Sequence, residues 1–288
     1  IPQTDFAVVI PEGRPFTASI SGVQNLSCSG ANDGEITIVA ANFDSTNGFQ
    51  YSTDNGTTWT TQLTSPYTIT GLAAGTYNIR IRYSATSAAS CSQSFTQLIT
   101  APTQLIVSAN VTTPAKCSVG ATIEASATGG TPAYRYELWD ATATTTIIPS
   151  QNSGLFTNVA PGTYIVRAYD ANNCSDDTPV ITVVSPPTLS ASLDPNSDIC
   201  YDSTNQATLS VLVSGGTAPF VYSLDGAPAQ TSSTFTNVSV GNHTIIVTDS
   251  YGCTAPAISI TIAPQLTATI SNVKELDCTS SPNAVISG

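Results

Sequence analysis

The sequence predicts an all-β protein: tandem immunoglobulin-like (fibronectin-like) β-sandwich modules arranged as a head-to-tail rod. Three observations predict it: one frame of turn and strand residues recurs along the chain, cysteines mark the same frame, and the segments inside it alternate apolar and polar residues. The frame runs Gly129-Gly130-Thr131-Pro132-Ala133-Tyr134, Asn158-Val159-Ala160-Pro161-Gly162-Thr163-Tyr164 and Asp170-Ala171-Asn172-Asn173-Cys174. It returns as Gly215-Gly216-Thr217-Ala218-Pro219-Phe220, Asn237-Val238-Ser239-Val240-Gly241-Asn242-His243 and Asp249-Ser250-Tyr251-Gly252-Cys253. A looser copy is Gly48-Phe49-Gln50-Tyr51, Gly71-Leu72-Ala73-Ala74-Gly75-Thr76-Tyr77 and Cys91. Repetition of one small unit adds length without adding a special site, which is the plan of a spacer.

Cys28, Cys117, Cys200 and Cys278 open successive units, 89, 83 and 78 residues apart, and Cys91, Cys174 and Cys253 close them, 83 and 79 apart. That period is domain-sized. Residues 13–102, 103–186 and 187–264 are therefore three modules, 1–12 the last strand of a preceding one (Phe6-Ala7-Val8-Val9-Ile10-Pro11), and 265–288 the start of a further one. The absence of an initial Met and the break inside a unit at Gly288 point to a window of a longer polypeptide.

In the second unit the strands follow in order from their period-two pattern and their Val, Ile, Thr and Tyr content. They are Leu105 to Val111, Ala121 to Ala127, Tyr134 to Trp139, Thr145 to Ile148, Leu155 to Val159, Thr163 to Tyr169 and Val180 to Val184. Seven short strands between Gly, Pro and Asn turns make a sandwich. One member each of the pairs Tyr134/Tyr136 and Phe220/Tyr222 is expected in the core and one at the surface. The linkers Ile99-Thr100-Ala101-Pro102, Val183-Val184-Ser185-Pro186-Pro187 and Thr261-Ile262-Ala263-Pro264 are short and stiffened by proline, so modules abut.

Nineteen acidic against seven basic residues give a net charge of −12. Such a surface repels phosphate backbones and anionic headgroups, so nucleic acid is excluded as a partner. No apolar run approaches the roughly 20 residues of a membrane span, so no membrane insertion is expected in this segment. Regularly placed cysteines in small β-modules imply disulfides and an oxidising compartment.

The stretches Gly71 to Tyr77, Gly129 to Tyr134 and Asp170 to Cys174 resemble the SprB-type repeat of Bacteroidota, and the resemblance covers residues 13 to 264. It implies a very large cell-surface adhesin, outer-membrane associated, exported by type IX secretion and moved by the gliding machinery. The opening pattern Cys-x-Gly-x-x-Asp-Gly is present at Cys28 to Gly34, but the loops of Cys117 and Cys200 lack its Asp-Gly. Asp44-Ser45-Thr46 and Asp202-Ser203-Thr204 fit the short O-glycosylation pattern of that phylum, which makes Ser45 and Ser203 expected glycan sites.

Candidate sites have bland readings beside their chemical ones. His243 stands where other units have Tyr77 and Tyr164, a place for packing and hydrogen bonding rather than general-base work, and no triad surrounds it. Asp194, Asp198 and Asp202, like Asp170, Asp176 and Asp177, offer oxygens to calcium, but their spacing matches no EF-hand and surface turns use Asp for local backbone bonds. No cofactor is expected. Trp59 and Trp139 would stack on sugars only if exposed, and they occupy non-equivalent places.

The loop before the second strand and the loop after the sixth lie at opposite ends of a sandwich, roughly 25 Å apart, whereas disulfide-linked Cα atoms sit about 4.4–6.8 Å apart. Closure within a module, such as Cys117 with Cys174, is therefore disfavoured. Head-to-tail stacking brings these loops of successive modules together, which predicts Cys28–Cys174 and Cys117–Cys253, with Cys91, Cys200 and Cys278 pairing to modules outside the window. The reading is a non-enzymatic stalk segment of a secreted adhesin or filament for surface attachment and gliding motility, reaching an extracellular surface or polysaccharide through other regions. The alternative is a carbohydrate-binding or spacer array of a secreted glycan-degrading enzyme.

Overall fold

The computed structural model describes residues 15–84, 92–201 and 206–264, and the backbone of two short strands beyond them. The chain divides into two compact units, one of Ile1–Asn110, Ile123–Phe156 and Thr163–Ile181, the other of Val111–Thr122, Thr157–Gly162 and Thr182–Gly288, so that the second sequence repeat contributes to both. Among the described residues every regular element is a strand.

The first module has β1 (Thr17–Gln24), β2 (Gly34–Ala41), β3 (Phe49–Ser52), β4 (Thr60–Gln62), β5 (Tyr67–Leu72), β6 (Gly75–Tyr83) and β7 (Gln93–Ile99). They form two antiparallel sheets, β1-β2-β5 and β4-β3-β6-β7. The alternation in Gly-Glu-Ile-Thr-Ile-Val-Ala-Ala turns Ile36, Ile38 and Ala40 inward. Facing them are Phe49 and Tyr51 from β3 and Ile79 and Ile81 from β6. Truncating one of these fully buried isoleucines to Ala would cost about 2–5 kcal/mol.

The second repeat supplies β8 (Ile106–Thr113), β9 (Ala121–Thr128), β10 (Arg135–Asp140), β11 (Thr146–Gln151), β12 (Leu155–Val159), β13 (Gly162–Tyr169), β14 (Ser175–Asp177) and β15 (Ile181–Val183). Their sheet orders are β12-β9-β8 and β11-β10-β13-β14, with β15 also on β13. The third supplies β16 (Leu189–Leu193), β17 (Ala207–Gly215), β18 (Val221–Leu224), β19 (Thr234–Val238), β20 (Gly241–Thr248) and β21 (Ile258–Ile262), ordered β16-β17-β19 and β18-β20-β21. Further on, β22 (Ser271–Lys274) pairs antiparallel with β23 (Val285–Ser287). The stretch Phe6 to Pro11 lies outside the described residues.

The fourth strand of each repeat settles which sandwich this is. It pairs with the third strand, β4 on β3 and β11 on β10, rather than extending the sheet of the first two, which is the fibronectin arrangement. In the third module it shrinks to a single bridge, Tyr222 to Gln230.

Two sequence expectations are corrected. The last strand of the second repeat does not run unbroken from Val180 to Val184; it begins at Ser175 and is interrupted between β14 and β15. Pro179 has no N–H for the ladder. Thr178 bridges the gap, its N–H donating to Val166 O at 3.0 Å and its hydroxyl accepting from Val166 N at 2.9 Å. The aromatic pairs do not split between core and surface, because residues two apart face the same side of a strand. Tyr136 and Tyr222 are buried, Phe220 packs partly buried against the same core as Tyr222, and half-buried Tyr134 donates its hydroxyl to Gly129 O at 2.6 Å.

Candidate functional site: the cysteine-bearing turns

The turn after the sixth strand is built identically in the second and third repeats. Asp170, fully buried at the end of β13, accepts from Asn172 N (2.9 Å) and Cys174 N (2.9 Å) with Oδ1 and from Thr131 N (2.8 Å) with Oδ2. Asp249, after β20, repeats it with Tyr251 N (2.9 Å), Cys253 N (2.8 Å) and Thr217 N (2.8 Å). Burial pushes the Asp249 carboxyl up, but the N–H groups of Cys253, Thr217 and Tyr251 outweigh it and leave the group below its ordinary 3.8. Each carboxylate thus fixes the cysteine four residues later and ties that turn to the Gly-Gly-Thr turn.

That second tie explains the paired glycines. Gly129 and Gly215 adopt φ of +75° and +72°, and a Cβ on them would lie 1.9 Å from Gln104 O and 2.0 Å from Thr188 O. Only glycine lets the backbone pass this close in that conformation. Gly130 N and Gly216 N then donate to Thr103 O and Thr188 O at 2.8 and 3.1 Å.

The cysteines so held are disulfide-bonded across repeats. Cys174 is joined to Cys28, with Cα atoms 5.7 Å apart, and Cys253 to Cys117, at 5.1 Å. Each pair falls within one compact unit. Around the first, Asn172 Nδ2 donates to Ser27 O at 2.9 Å, and Ser27 N donates to Asp33 at 3.2 Å. Hydrogen bonding from Ser27 holds the Asp33 carboxyl below its usual range. Around the second, Cys117 N donates to Tyr251 O at 3.3 Å and the Lys116 ammonium lies 5.6 Å from the Tyr251 ring centre. Open clefts of about 410 and 460 Å³ border the two bonds. Cys200, in the corresponding loop of the third module, is an exposed free thiol. Cys91 and Cys278 lie outside the described residues.

His243 donates from Nε2 to Ser239 O (2.9 Å) and from Nδ1 to Asp225 Oδ2 (2.7 Å). Tyr77 makes the corresponding bond to Ala73 O, also four residues back, at 3.0 Å. This is the tyrosine-corner bond, made in the third module by an imidazole. The Asp225 bond is the main reason that the His243 pKa rises and that of Asp225 falls.

The proposed calcium oxygens are otherwise engaged. Asp170 is filled by N–H donors, Asp176 accepts from Val107 N (2.9 Å), and Asp177 pairs with Arg167. Asp194 and Asp198 accept from Asn196 N and Cys200 N, while Asp202 lies outside the described residues. Among the described residues no group of three or more His, Cys, Asp or Glu could hold a metal. Trp59 and Trp139 are half-buried, each with a guanidinium over its ring, Arg82 at 3.9 Å and Arg167 at 4.9 Å. Ser45 is exposed at a turn in which Asp44 accepts from Thr46 N at 2.9 Å; Ser203 lies outside the described residues. The Asp170 and Asp249 locks were missed in sequence, although the recurrent Asp-x-x-x-Cys beside Gly-Gly-Thr was a visible signal.

No protein-family model matches the chain, and no curated protein matches it. Among solved structures it is similar to a tetra-tandem repeat in the extending region of a large adhesion protein, at 14% identity over 86% of this chain and 74% of that one, with a TM-score of 0.29. The fibronectin(III)-like modules of Clostridium thermocellum CbhA match at 17% identity, 55% and 95% coverage and a TM-score of 0.26. The three N-terminal domains of the bacteriophage RB49 outer capsid protein Hoc match at 12%, 86% and 95%, with 0.35.

Proposed function

We propose that this chain is a load-bearing stalk segment of a secreted cell-surface adhesin or filament. The observation that carries the reading is the pair of disulfides joining the loop before the second strand of one repeat to the turn after the sixth strand of the next. Disulfides fit an extracellular location. Attachment to surfaces, gliding motility, type IX export and O-glycans at Ser45 and Ser203 extend this proposal and rest on the SprB-type resemblance. No helix among the described residues is long and apolar enough to cross a membrane.

The two staples interleave, since they span Cys28 to Cys174 and Cys117 to Cys253. Tension from Cys28 to Cys253 meets a covalent short cut through Cys174. Of the 225 residues between them (253 minus 28), only 79 (253 minus 174) lie on that path. At about 3.5 Å per residue, full extension is capped near roughly 280 Å instead of roughly 790 Å. Single-molecule stretching with and without reductant tests this: the expected gain on reduction is about 500 Å between these points, and equal extension in both states overturns the load-bearing reading.

A further inference from the structure

Arg80 and Arg167 hold equivalent positions, each five residues after the Gly that opens β6 or β13. Their neighbours Ile79, Ile81, Val166 and Ala168 are buried, so both guanidinium groups belong to the outer sheet face. Across the ladder Arg167 faces Asp177, whereas Arg80 faces Ser94. The Arg167 fork closes on that carboxylate with two 2.7 Å bonds, Nε to Oδ1 and Nη2 to Oδ2. Arg80 donates from Nε to Asn55 Oδ1 at 3.0 Å and forms no ion pair among the described residues.

Arg82 lies two residues along the same face, stacked on Trp59 and donating from Nε to Gln50 Oε1 at 2.9 Å. Two of the seven basic residues of a chain with net charge −12 therefore share one small surface. Around them the face carries Thr61, Asn78, Ser94 and Thr96, an array of hydroxyl and amide groups, with exposed Leu98 at one edge and Asp54, bridged to Asn78 and bonded to Ser52 and Thr58, at another. We propose that this face of the β4-β3-β6-β7 sheet binds a carboxylate-bearing polysaccharide of the uronate class, one ligand carboxylate taking on Arg80 the place that Asp177 takes on Arg167. The hydroxyl and amide surround suits sugar hydroxyls, and an extended sheet suits a polymer. The guanidinium over Trp59 leaves charge, rather than ring stacking, to drive recognition. This goes beyond the stalk reading and does not depend on it.

The test titrates the full chain with a galacturonic acid oligosaccharide at low salt, followed by calorimetry and NMR, beside dextran and polyglutamate. Saturable uronate binding is expected, weakened by 0.3 M salt as screening sets in. Ser94→Asp supplies the missing internal carboxylate and Arg80→Ser removes the fork; each should weaken binding about tenfold. Asp177→Ser should open an equivalent second site. Absence of uronate binding, indifference to Ser94→Asp, no second site in Asp177→Ser, or equal binding of dextran or polyglutamate each overturns the proposal.

Discussion

The first module and the two that follow share a sandwich but end the sixth strand differently. In the second and third, a buried carboxylate stands at the strand end and the cysteine follows four residues later, pinned by it. In the first, Tyr83 takes the position of that aspartate, and Cys91 comes eight residues later in sequence. Tyr83 instead stacks on Phe16, ring centres 6.3 Å apart. The difference teaches that the core fold does not require the aspartate. Asp170 and Asp249 serve the turn, and the turn presents a cysteine to another repeat.

The largest expected effect comes from the staples. Each closes a loop of 146 or 136 residues, for which chain entropy assigns about 5 kcal/mol. Replacing Cys117 and Cys253 together by Ser should lower the urea midpoint accordingly, while Cys91→Ser, tested as the unlocked counterpart, should leave both mapped disulfides intact. A null result in the double variant would break the link between locked turns and stability.

Asp249→Ala ranks next. It leaves the N–H groups of Thr217, Tyr251 and Cys253 without their acceptor, at a cost of roughly 3 kcal/mol. Thiol mapping should then find Cys117 and Cys253 partly reduced. Tyr83→Phe should change neither pairing, and if it did the comparison would fail. Gly215→Ala should cost about 2 kcal/mol, since φ of +72° and the approach to Thr188 O both exclude a side chain. The equivalent Gly129→Ala should match it in unfolding experiments, and a mismatch would show that the two locks differ.

The smallest effect is a pH dependence confined to the third module. The folded pKa of His243 lies above its ordinary 6.5, so its contribution is complete below 6.5 and is lost as pH rises through the folded value. Denaturation between pH 5.5 and 9 should show the third module weakening as pH rises, and His243→Tyr, which restores the residue type of Tyr77, should flatten the curve. Stability unchanged in the wild type would remove the imidazolium from the account.

Strand positions were legible because period-two burial is local: Ala121 to Ala127 needs only its own sequence to declare an inward face. The break in the last strand was less so, since the weight of Pro179 depends on Thr178 finding Val166. The Arg167 pair and the open Arg80 look alike in sequence, as each follows the same Gly-Thr-Tyr start. Only the facing residue on the neighbouring strand, Asp177 or Ser94, separates them.

By itself the sequence determined the repeat length, the all-β class and the cysteine register, because turns, alternation and spacing are properties of neighbouring residues. Tertiary structure alone decided that Asp170 and Asp249 are buried locks, that the fourth strand joins the third, and that Arg80 faces a serine. Those outcomes depend on groups dozens of residues apart meeting within about 3 Å, a condition that only the packed sheets and turns impose.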